Sequence, residues 1–172
     1  MVTVSTAALE KARTLVESVL DPEMPMLTLA DLGVVRDVDI TPDGAVVVTL
    51  TPTYSGCPAL ATMRADIEHL LHQHGHDQVR VNTSLTPAWS SDWITESGMR
   101  KLRDAGYSTP GRAPARQTGP VPLTLTTRPR PVSCPQCGSS RTELVSEFGA
   151  TLCKAQYRCT ACREPFDHVK EI

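Results

Sequence analysis

Thr51-Pro-Thr-Tyr-Ser-Gly-Cys57-Pro58 decides the fold of the first half of this 172-residue chain, because a strand pattern ends before it and a helix pattern follows it. Residues 45–50 (Ala-Val-Val-Val-Thr-Leu) are apolar and β-branched, which is typical of a buried strand. Residues 59–74 carry apolar side chains at helical spacing: Leu60, Met63, Ile67, Leu70 and Leu71. Pro58 suits the first helical position, so we expect Cys57 near the N-cap of this helix.

A cysteine at a helix start has distinctive chemistry. Free backbone N–H groups and the positive end of the helix dipole favour thiolate over thiol. The thiolate of Cys57 could attack, carry sulfur or bind a metal. The hydroxyls of Thr51 and Thr53 crowd around it, and Gly56 allows a backbone or ligand to approach closely. The alternative is that Cys57 is a small buried residue filling a tight turn.

A second segment carries two stiffly held carboxylates. Asp21-Pro-Glu23-Met-Pro25 follows the first helix pattern, and its two prolines forbid helix continuation. Asp21 and Glu23 could supply hard oxygen ligands beside Cys57. They could instead form a pair of charges that sets the pKa of a neighbouring group. The alternative is an ordinary helix-stop loop with solvated acids.

The remaining patterns of the first half predict a compact α+β sandwich in the order α-β-β-α-β-α. A Pro-Asp-Gly turn at residues 42–44 joins the first two strands. The predicted helices and strands are 6–20, 33–40, 45–50, 59–74, 78–84 and 94–105, which places the first domain at residues 1–106.

Residues 107–133 are expected to be a linker. They contain six of the 14 prolines, four arginines and no acidic residue. Such a composition cannot bury a core, which favours a solvated spacer, although the arginines could dock on an acidic partner.

The first domain is acidic, with 8 Lys/Arg against 14 Asp/Glu, which argues against binding to a nucleic-acid backbone.

Two cysteine pairs in residues 134–172 predict a metal site. Cys134-Pro-Gln-Cys137 and Cys159-Thr-Ala-Cys162 have the two-knuckle spacing of a tetrahedral zinc site. Strand patterns at 141–148 and 151–157 predict a zinc-ribbon β-hairpin between the knuckles. The alternatives are rubredoxin-like iron, which the same thiolates accept, and disulfides, which are rare in cytosolic chains.

Two further groups of metal-binding side chains lie outside this pattern. Cys153 falls within a predicted ribbon strand, where it is either a small buried residue or a transient handler of metal or sulfur. His69, His72, His74 and His76 cluster at the end of the second helix pattern. Imidazoles there interact favourably with the helix dipole, so a metal site is only the alternative.

The motifs of the first half resemble the small domain of SufT-like iron–sulfur assembly proteins. The stretch from Ser146 to Asp167 resembles PaaD (also called PaaJ), a family of bacterial phenylacetyl-CoA epoxidase subunits, and the resemblance extends over nearly the whole chain. It implies functional roles in the first domain for the acids of the Asp-Pro-Glu turn, the two threonines and the cysteine, here Asp21, Glu23, Thr51, Thr53 and Cys57. One departure is the ending, where the family's Phe-Asp-Tyr-Phe-Lys-Cys-Ile is replaced by Phe-Asp-His-Val-Lys-Glu-Ile172.

The function implied by this resemblance is an accessory role in phenylacetate catabolism. The chain would assist assembly of an iron–sulfur or di-iron centre in an oxygenase or reductase subunit. It would hold structural zinc and transiently carry iron or an iron–sulfur cluster. Absence of a phosphate-binding or dinucleotide motif argues against an independent catalyst. The rival functions are a general iron–sulfur carrier and a zinc-ribbon nucleic-acid binder.

Two patterns bear on location. The opening residues lack a basic stretch followed by a long apolar run, so we expect no secretory signal, and no run of ~18 apolar residues predicts a membrane span. We therefore expect a cytoplasmic protein.

Overall fold

The computed structural model describes residues 6–114 and 132–172 and divides into two compact units, Met1–Lys101 and Leu102–Ile172. The boundary falls inside the last helix. Most of the predicted linker, residues 115–131, lies outside the described residues.

The first unit is a three-stranded sheet with helices, which confirms the predicted α+β class. The order of strands in the sheet is β1-β2-β3, with β1 antiparallel and β3 parallel to β2. Its elements are α1 (Thr6–Ser18), α2 (Leu29–Leu32), β1 (Val35–Ile40), β2 (Val46–Leu50), α3 (Leu60–Gln73), β3 (Val79–Thr83), a 3-10 turn (Ser91–Trp93) and α4 (Glu96–Asp104).

The core of the first unit lies between this sheet and the two long helices. α1 packs against β1, α3 packs against β3, and the two helices contact each other. Fully buried side chains alternate along β2 and recur at helical spacing: Val16, Val46, Val48, Leu50, Ile67 and Leu71. Burial of each such side chain stabilises the fold by about 1.5–3 kcal/mol. Of the apolar residues predicted for α3, Met63, Ile67 and Leu71 are buried, whereas Leu60 and Leu70 are half-buried.

The short helix α2 was not predicted. Thr28 caps its N-terminus, with its side chain accepting a hydrogen bond from the Asp31 N–H while the Asp31 carboxylate accepts one from the Thr28 N–H. Gly33 ends the helix at a positive φ of 67°. A Cβ at this position would lie 2.6 Å from the carbonyl oxygen of Trp93, so only glycine fits.

The second unit contains a three-stranded antiparallel sheet in the order β4-β5-β6. Its strands are β4 (Thr142–Ser146), β5 (Lys154–Cys159) and β6 (Pro165–Val169). The predicted hairpin is therefore incomplete, because the chain continues through the second cysteine knuckle and returns as β6. Cys153 lies in the turn before β5 and not in a strand, and it is buried.

Residues 107–111, which the sequence assigns to the linker, lie beside β6; we call this segment the strap. The Ser108 N–H donates to the Asp167 carbonyl at 2.9 Å, and the Val169 N–H donates to the Ser108 carbonyl at 3.0 Å. The strap therefore runs parallel to β6 and adds a short extended segment to this edge of the sheet.

Candidate metal and sulfur sites

The four paired cysteines of the second unit converge. Their sulfur atoms all lie within 4.8 Å of one another, with Cys134 and Cys159 buried and Cys137 and Cys162 exposed. The Cys134–Cys162 sulfurs are 3.7 Å apart and the Cys137–Cys159 sulfurs 3.6 Å apart. A tetrahedron with Zn–S bonds of ~2.3 Å has edges of about 3.8 Å, so the donor set fits Zn²⁺.

Two similar turns place these cysteines. The Gly138 N–H donates to the Cys134 carbonyl at 2.9 Å, and the Arg163 N–H donates to the Cys159 carbonyl at 2.9 Å. Gly138 and Arg163 both adopt a positive φ, near 70°, which tightens each turn enough for two cysteines to face one point. The sequence signal for this geometry was the spacing of the pairs.

The knuckle backbone also favours thiolate at one ligand. The backbone N–H groups of Cys162 and, to a lesser extent, Ala161 donate hydrogen bonds to the Cys159 sulfur, and these lower its pKa to about 6 although burial opposes the shift. Metal ligation needs the thiolate, so these donors prepare Cys159 to bind.

The loop that carries Thr51, Thr53 and Cys57 begins at the end of β2, at one end of the sheet of the first unit. Val35, at the start of β1, pairs with Leu50, at the end of β2. The segment before β1 therefore meets the loop after β2, and the Thr51 N–H donates to the Val34 carbonyl at 2.8 Å. The residues just before β1 and the first residue of the Cys57 loop thus meet at one end of the sheet.

Thr51 carries the most informative polar atom of this loop. The residue is buried, and its Oγ1 has no hydrogen-bond partner within the parts of the chain that the structure describes. Buried hydroxyls in native proteins are nearly always paired, and an unpaired one costs roughly 1–3 kcal/mol. The Thr51 hydroxyl is therefore a buried donor whose hydrogen bond is not supplied by the described chain.

Asp21 has a visible structural role. It is buried, and its Oδ1 accepts hydrogen bonds from the backbone N–H groups of Glu23 at 2.9 Å and Met24 at 2.7 Å. These bonds hold the proline-rich turn in one shape. Glu23 itself is half-buried.

Cys57 lies in a turn just ahead of α3. Its N–H donates to the Tyr54 carbonyl at 3.2 Å, and its carbonyl accepts from the Leu60 N–H at 3.3 Å. The expected N-cap position is wrong by two residues, because a turn precedes the α-helix and Ala59 is the N-cap. Cys57 is half-buried, as is Thr53.

The acids of the turn and Cys57 do not form a ready three-ligand cluster. Among the described residues, the only set of three or more Cys, His, Asp or Glu side chains within metal-binding distance is the four-cysteine cluster.

The four histidines at the end of α3 likewise form no such set. His72 Nδ1 lies 2.8 Å from the His76 carbonyl, and His74 Nδ1 lies 2.8 Å from the Leu70 carbonyl, so these rings bond to the helix end.

Sequence reasoning assigned no role to Asp31, which joins two distant segments behind the site. Its carboxylate lies 2.6 Å from the Lys101 ammonium and accepts from the Thr28 N–H. Although burial alone would raise its pKa, the hydrogen bond from Lys101 and those from Thr28 lower it to about 2. A lone acid 70 positions from its partner leaves no local sequence pattern.

Comparisons with known proteins match both halves of the chain. Residues 9–83 match the family model for an iron–sulfur cluster assembly protein, and residues 118–170 match that for the PaaD zinc β-ribbon domain. A domain of unknown function DUF59 from Bacillus anthracis has a TM-score of 0.52 and 28% identity, covering 56% of this chain and 92% of that one. The fold and the cysteine cluster thus define an iron–sulfur assembly domain followed by a zinc ribbon.

One relative covers the whole chain. It is a protein of Escherichia coli (strain K12), provisionally assigned as the D-type subunit of 1,2-phenylacetyl-CoA epoxidase, with 41% identity over 172 residues, all of this chain and 98% of the relative. The chain belongs to this family of D-type epoxidase subunits. A second relative, an Fe-S protein maturation auxiliary factor of Porphyromonas gingivalis (strain ATCC BAA-308 / W83), is 33% identical over 89 residues, 51% of this chain and 84% of the relative.

In the parts of the chain that the structure describes, no helix combines the length and apolar character needed to cross a membrane.

Proposed function

We propose that this protein is a maturation subunit that helps a metal centre assemble in a partner of the phenylacetyl-CoA epoxidase system. The observation that carries the proposal is the buried Thr51 hydroxyl, unpartnered among the described residues, at the sheet end where the Cys57 loop begins. The match of residues 9–83 to iron–sulfur assembly proteins supports it. The cargo would be iron or a small iron–sulfur cluster, and the clients would be the oxygenase and reductase subunits.

Cys57 would be the residue that holds the cargo. A half-buried thiol can reach a ligand while staying shielded from bulk oxidants, and as thiolate it binds iron or the iron of an iron–sulfur cluster. A single protein thiolate gives weak, exchangeable ligation, which suits transfer to a client better than permanent storage.

Thr51, Thr53 and the acidic turn would complete this site. The Thr51 hydroxyl would donate a hydrogen bond to the cargo, because it has no donor role within the described chain. Asp21 would keep the turn rigid through its two backbone hydrogen bonds, and Glu23 would offer a hard oxygen ligand. Arrival of cargo would then relieve the desolvation cost of the Thr51 hydroxyl.

The four-cysteine cluster would hold zinc as a resident structural ion. The ribbon has few buried apolar residues besides its cysteines: Val132 and Phe166, which cluster with Cys134 and Cys159, and Ala155 and Val169. A module of this size usually needs a metal to fold. Zinc bound there would cross-link the two knuckles.

A turnover test separates maturation from catalysis. Oxygenase and reductase subunits purified from wild-type cells should epoxidise phenylacetyl-CoA in vitro without this protein. A maturation factor is needed only while its client acquires metal, whereas a catalytic subunit must be present during turnover. Activity of fully metallated subunits that rises with added protein up to an equimolar amount would contradict maturation.

A general iron–sulfur carrier is the second candidate, favoured by the match of about half the chain to the Porphyromonas gingivalis maturation factor. A carrier of this kind would serve many iron–sulfur enzymes. Loss of the protein should then lower aconitase activity as well as growth on phenylacetate. Our proposal predicts poor growth on phenylacetate with unchanged aconitase activity.

A further inference from the structure

We propose that the strap, residues 107–111, is energetically coupled to the zinc ion of the ribbon. Loss of the metal would loosen the strap, and loosening the strap would speed loss of the metal. The inference rests on the proposed zinc ligation by the four cysteines. It gives a function to a cluster of buried polar groups that the maturation proposal leaves unused.

Three side chains fasten the strap to β6 in addition to the backbone pairing. The Ser108 Oγ lies 3.2 Å from His168 Nδ1, and His168 Nε2 lies 3.6 Å from the Glu171 carboxylate. The other oxygen of Glu171 accepts from the Gly111 N–H at 2.9 Å. The neighbouring side chains of His168 and Glu171 thus hold the strap at two points, Ser108 and Gly111.

His168 is the centre of this arrangement. Ser108 and His168 are both buried, and burial lowers the pKa of His168 against the opposing effect of Glu171, which keeps the ring neutral near pH 7. The Ser108 hydroxyl and the Glu171 carboxylate lie against different ring nitrogens, Nδ1 and Nε2, so the ring stands between them.

A continuous series of ring contacts connects His168 to the metal ligands. The His168 ring packs edge-on against Tyr157 at 5.7 Å between centroids, and Tyr157 stacks on Phe166 at 5.9 Å. Phe166 belongs to the buried cluster that contains Cys134 and Cys159. A displacement of the cysteines would therefore displace Phe166 and Tyr157, and with them the ring of His168, which holds the strap.

The chain also touches the first knuckle just before the strap. A Cβ added to Gly106 would lie 3.4 Å from the side-chain nitrogen of Gln136, which stands between Cys134 and Cys137. Between the strap and residues 132–135 lies a cavity of about 590 Å³. Coupling therefore runs through β6 and the Gly106 contact, since the strap and the first knuckle do not pack along their length.

Coupling of this kind is reciprocal. If zinc stabilises the attached strap, attachment must tighten zinc binding by the same factor, and such factors are typically 5- to 150-fold. Affinity differences between related variants appear mostly in the dissociation rate, so we expect His168→Ala to release zinc to a chromogenic chelator about tenfold faster than the wild type. Ser108→Ala, which keeps the backbone pairing, should show a smaller increase.

The test uses the full-length protein loaded with zinc. Zinc transfer to the chelator is timed for the wild type, His168→Ala, Ser108→Ala and the control His72→Ala, which alters an exposed histidine of the first unit. Hydrogen exchange at the Ser108 and Gly111 amides is measured on the same samples. We expect both amides to exchange faster in His168→Ala while the amides of β5 stay protected.

The outcomes separate this inference from the zinc assignment. Purified protein that holds no zinc overturns both. Protein that holds one zinc, but whose release rate is the same in His168→Ala as in the wild type, overturns the coupling alone. If His168→Ala does not fold, an unchanged release rate in Ser108→Ala has the same meaning.

Discussion

The two cysteine sites of this molecule are built in opposite ways. The ribbon brings four sulfur atoms within 4.8 Å of one another, on two turns of matching geometry. The first unit presents one half-buried thiol, Cys57, near a buried hydroxyl that has no partner among the described residues. The ribbon site is complete from this chain's own residues, whereas the Cys57 site needs a further group.

In the function we propose, this difference separates a resident ion from a cargo. Four thiolates satisfy every coordination position of tetrahedral zinc and leave none for exchange. A single thiolate leaves most of the coordination positions of an iron or a cluster to other donors, including those of a client. In the function we propose, the closed site would serve stability and the open site would serve transfer.

Breaking the closed site should have the largest effect. In Cys159→Ser, zinc content should fall from about one equivalent per chain to nearly none, because a structural site requires all four ligands. The second unit should unfold, since zinc binding supplies roughly 10–16 kcal/mol of folding free energy in small modules. Elemental analysis and amide NMR measure the two effects.

The matched control is Cys153→Ser, which alters a buried cysteine outside the cluster. It should retain one zinc, although its second unit will be somewhat less stable. Full zinc occupancy in Cys159→Ser would refute the ligand assignment.

Asp31→Asn should destabilise the first unit by roughly 1–2 kcal/mol at pH 7, an amount reduced by the partial exposure of Lys101. Folding lowers the Asp31 pKa from 3.8 to about 2, so its contribution is present above about pH 4 and is lost as pH falls to about 2. The difference between wild type and variant should therefore vanish in acid.

Urea unfolding followed by tryptophan fluorescence measures this difference, because both tryptophans lie in the first unit. Asp66→Asn, at an exposed position on α3, is the control and should change stability by less than ~0.5 kcal/mol. A difference between Asp31→Asn and wild type that persists at pH 2 would contradict the ion-pair explanation.

Thr51→Val should have the smallest effect on stability of these variants. It tests whether the Thr51 hydroxyl takes part in maturation. Removing a buried hydroxyl that has no partner in the described chain should leave stability unchanged or raise it by about 1 kcal/mol. Maturation of the client should nevertheless decline. Thr49→Val, on β2, should leave maturation intact, and an equal loss in both variants would argue against a donor role for Thr51.

Local sequence patterns predicted much of this molecule. The alternation along β2, the apolar spacing of α3 and the two Cys-x-x-Cys pairs each specify structure within a few residues. The strand β6 escaped prediction because it follows a metal knuckle, where short apolar runs are hard to distinguish from loop. Cys57 was placed at the N-cap because Pro58 favours a helix start, but a turn intervenes before α3.

Features that depend on distant partners could not be predicted. The ion pair of Asp31 with Lys101 and the contact of Ser108 with His168 join residues 70 and 60 positions apart. The lack of a partner for the Thr51 hydroxyl within the described chain is likewise a property of the folded surroundings. Such contacts are set by tertiary packing, and a single sequence carries no local signal for them.

The most direct test of transfer through Cys57 is the metal content of the client subunits. Oxygenase and reductase subunits purified from cells that carry Cys57→Ala should contain markedly less iron than those from wild-type cells. The variant itself should still hold one zinc, because the ribbon site is separate. Client subunits with full iron content in Cys57→Ala cells would contradict the account.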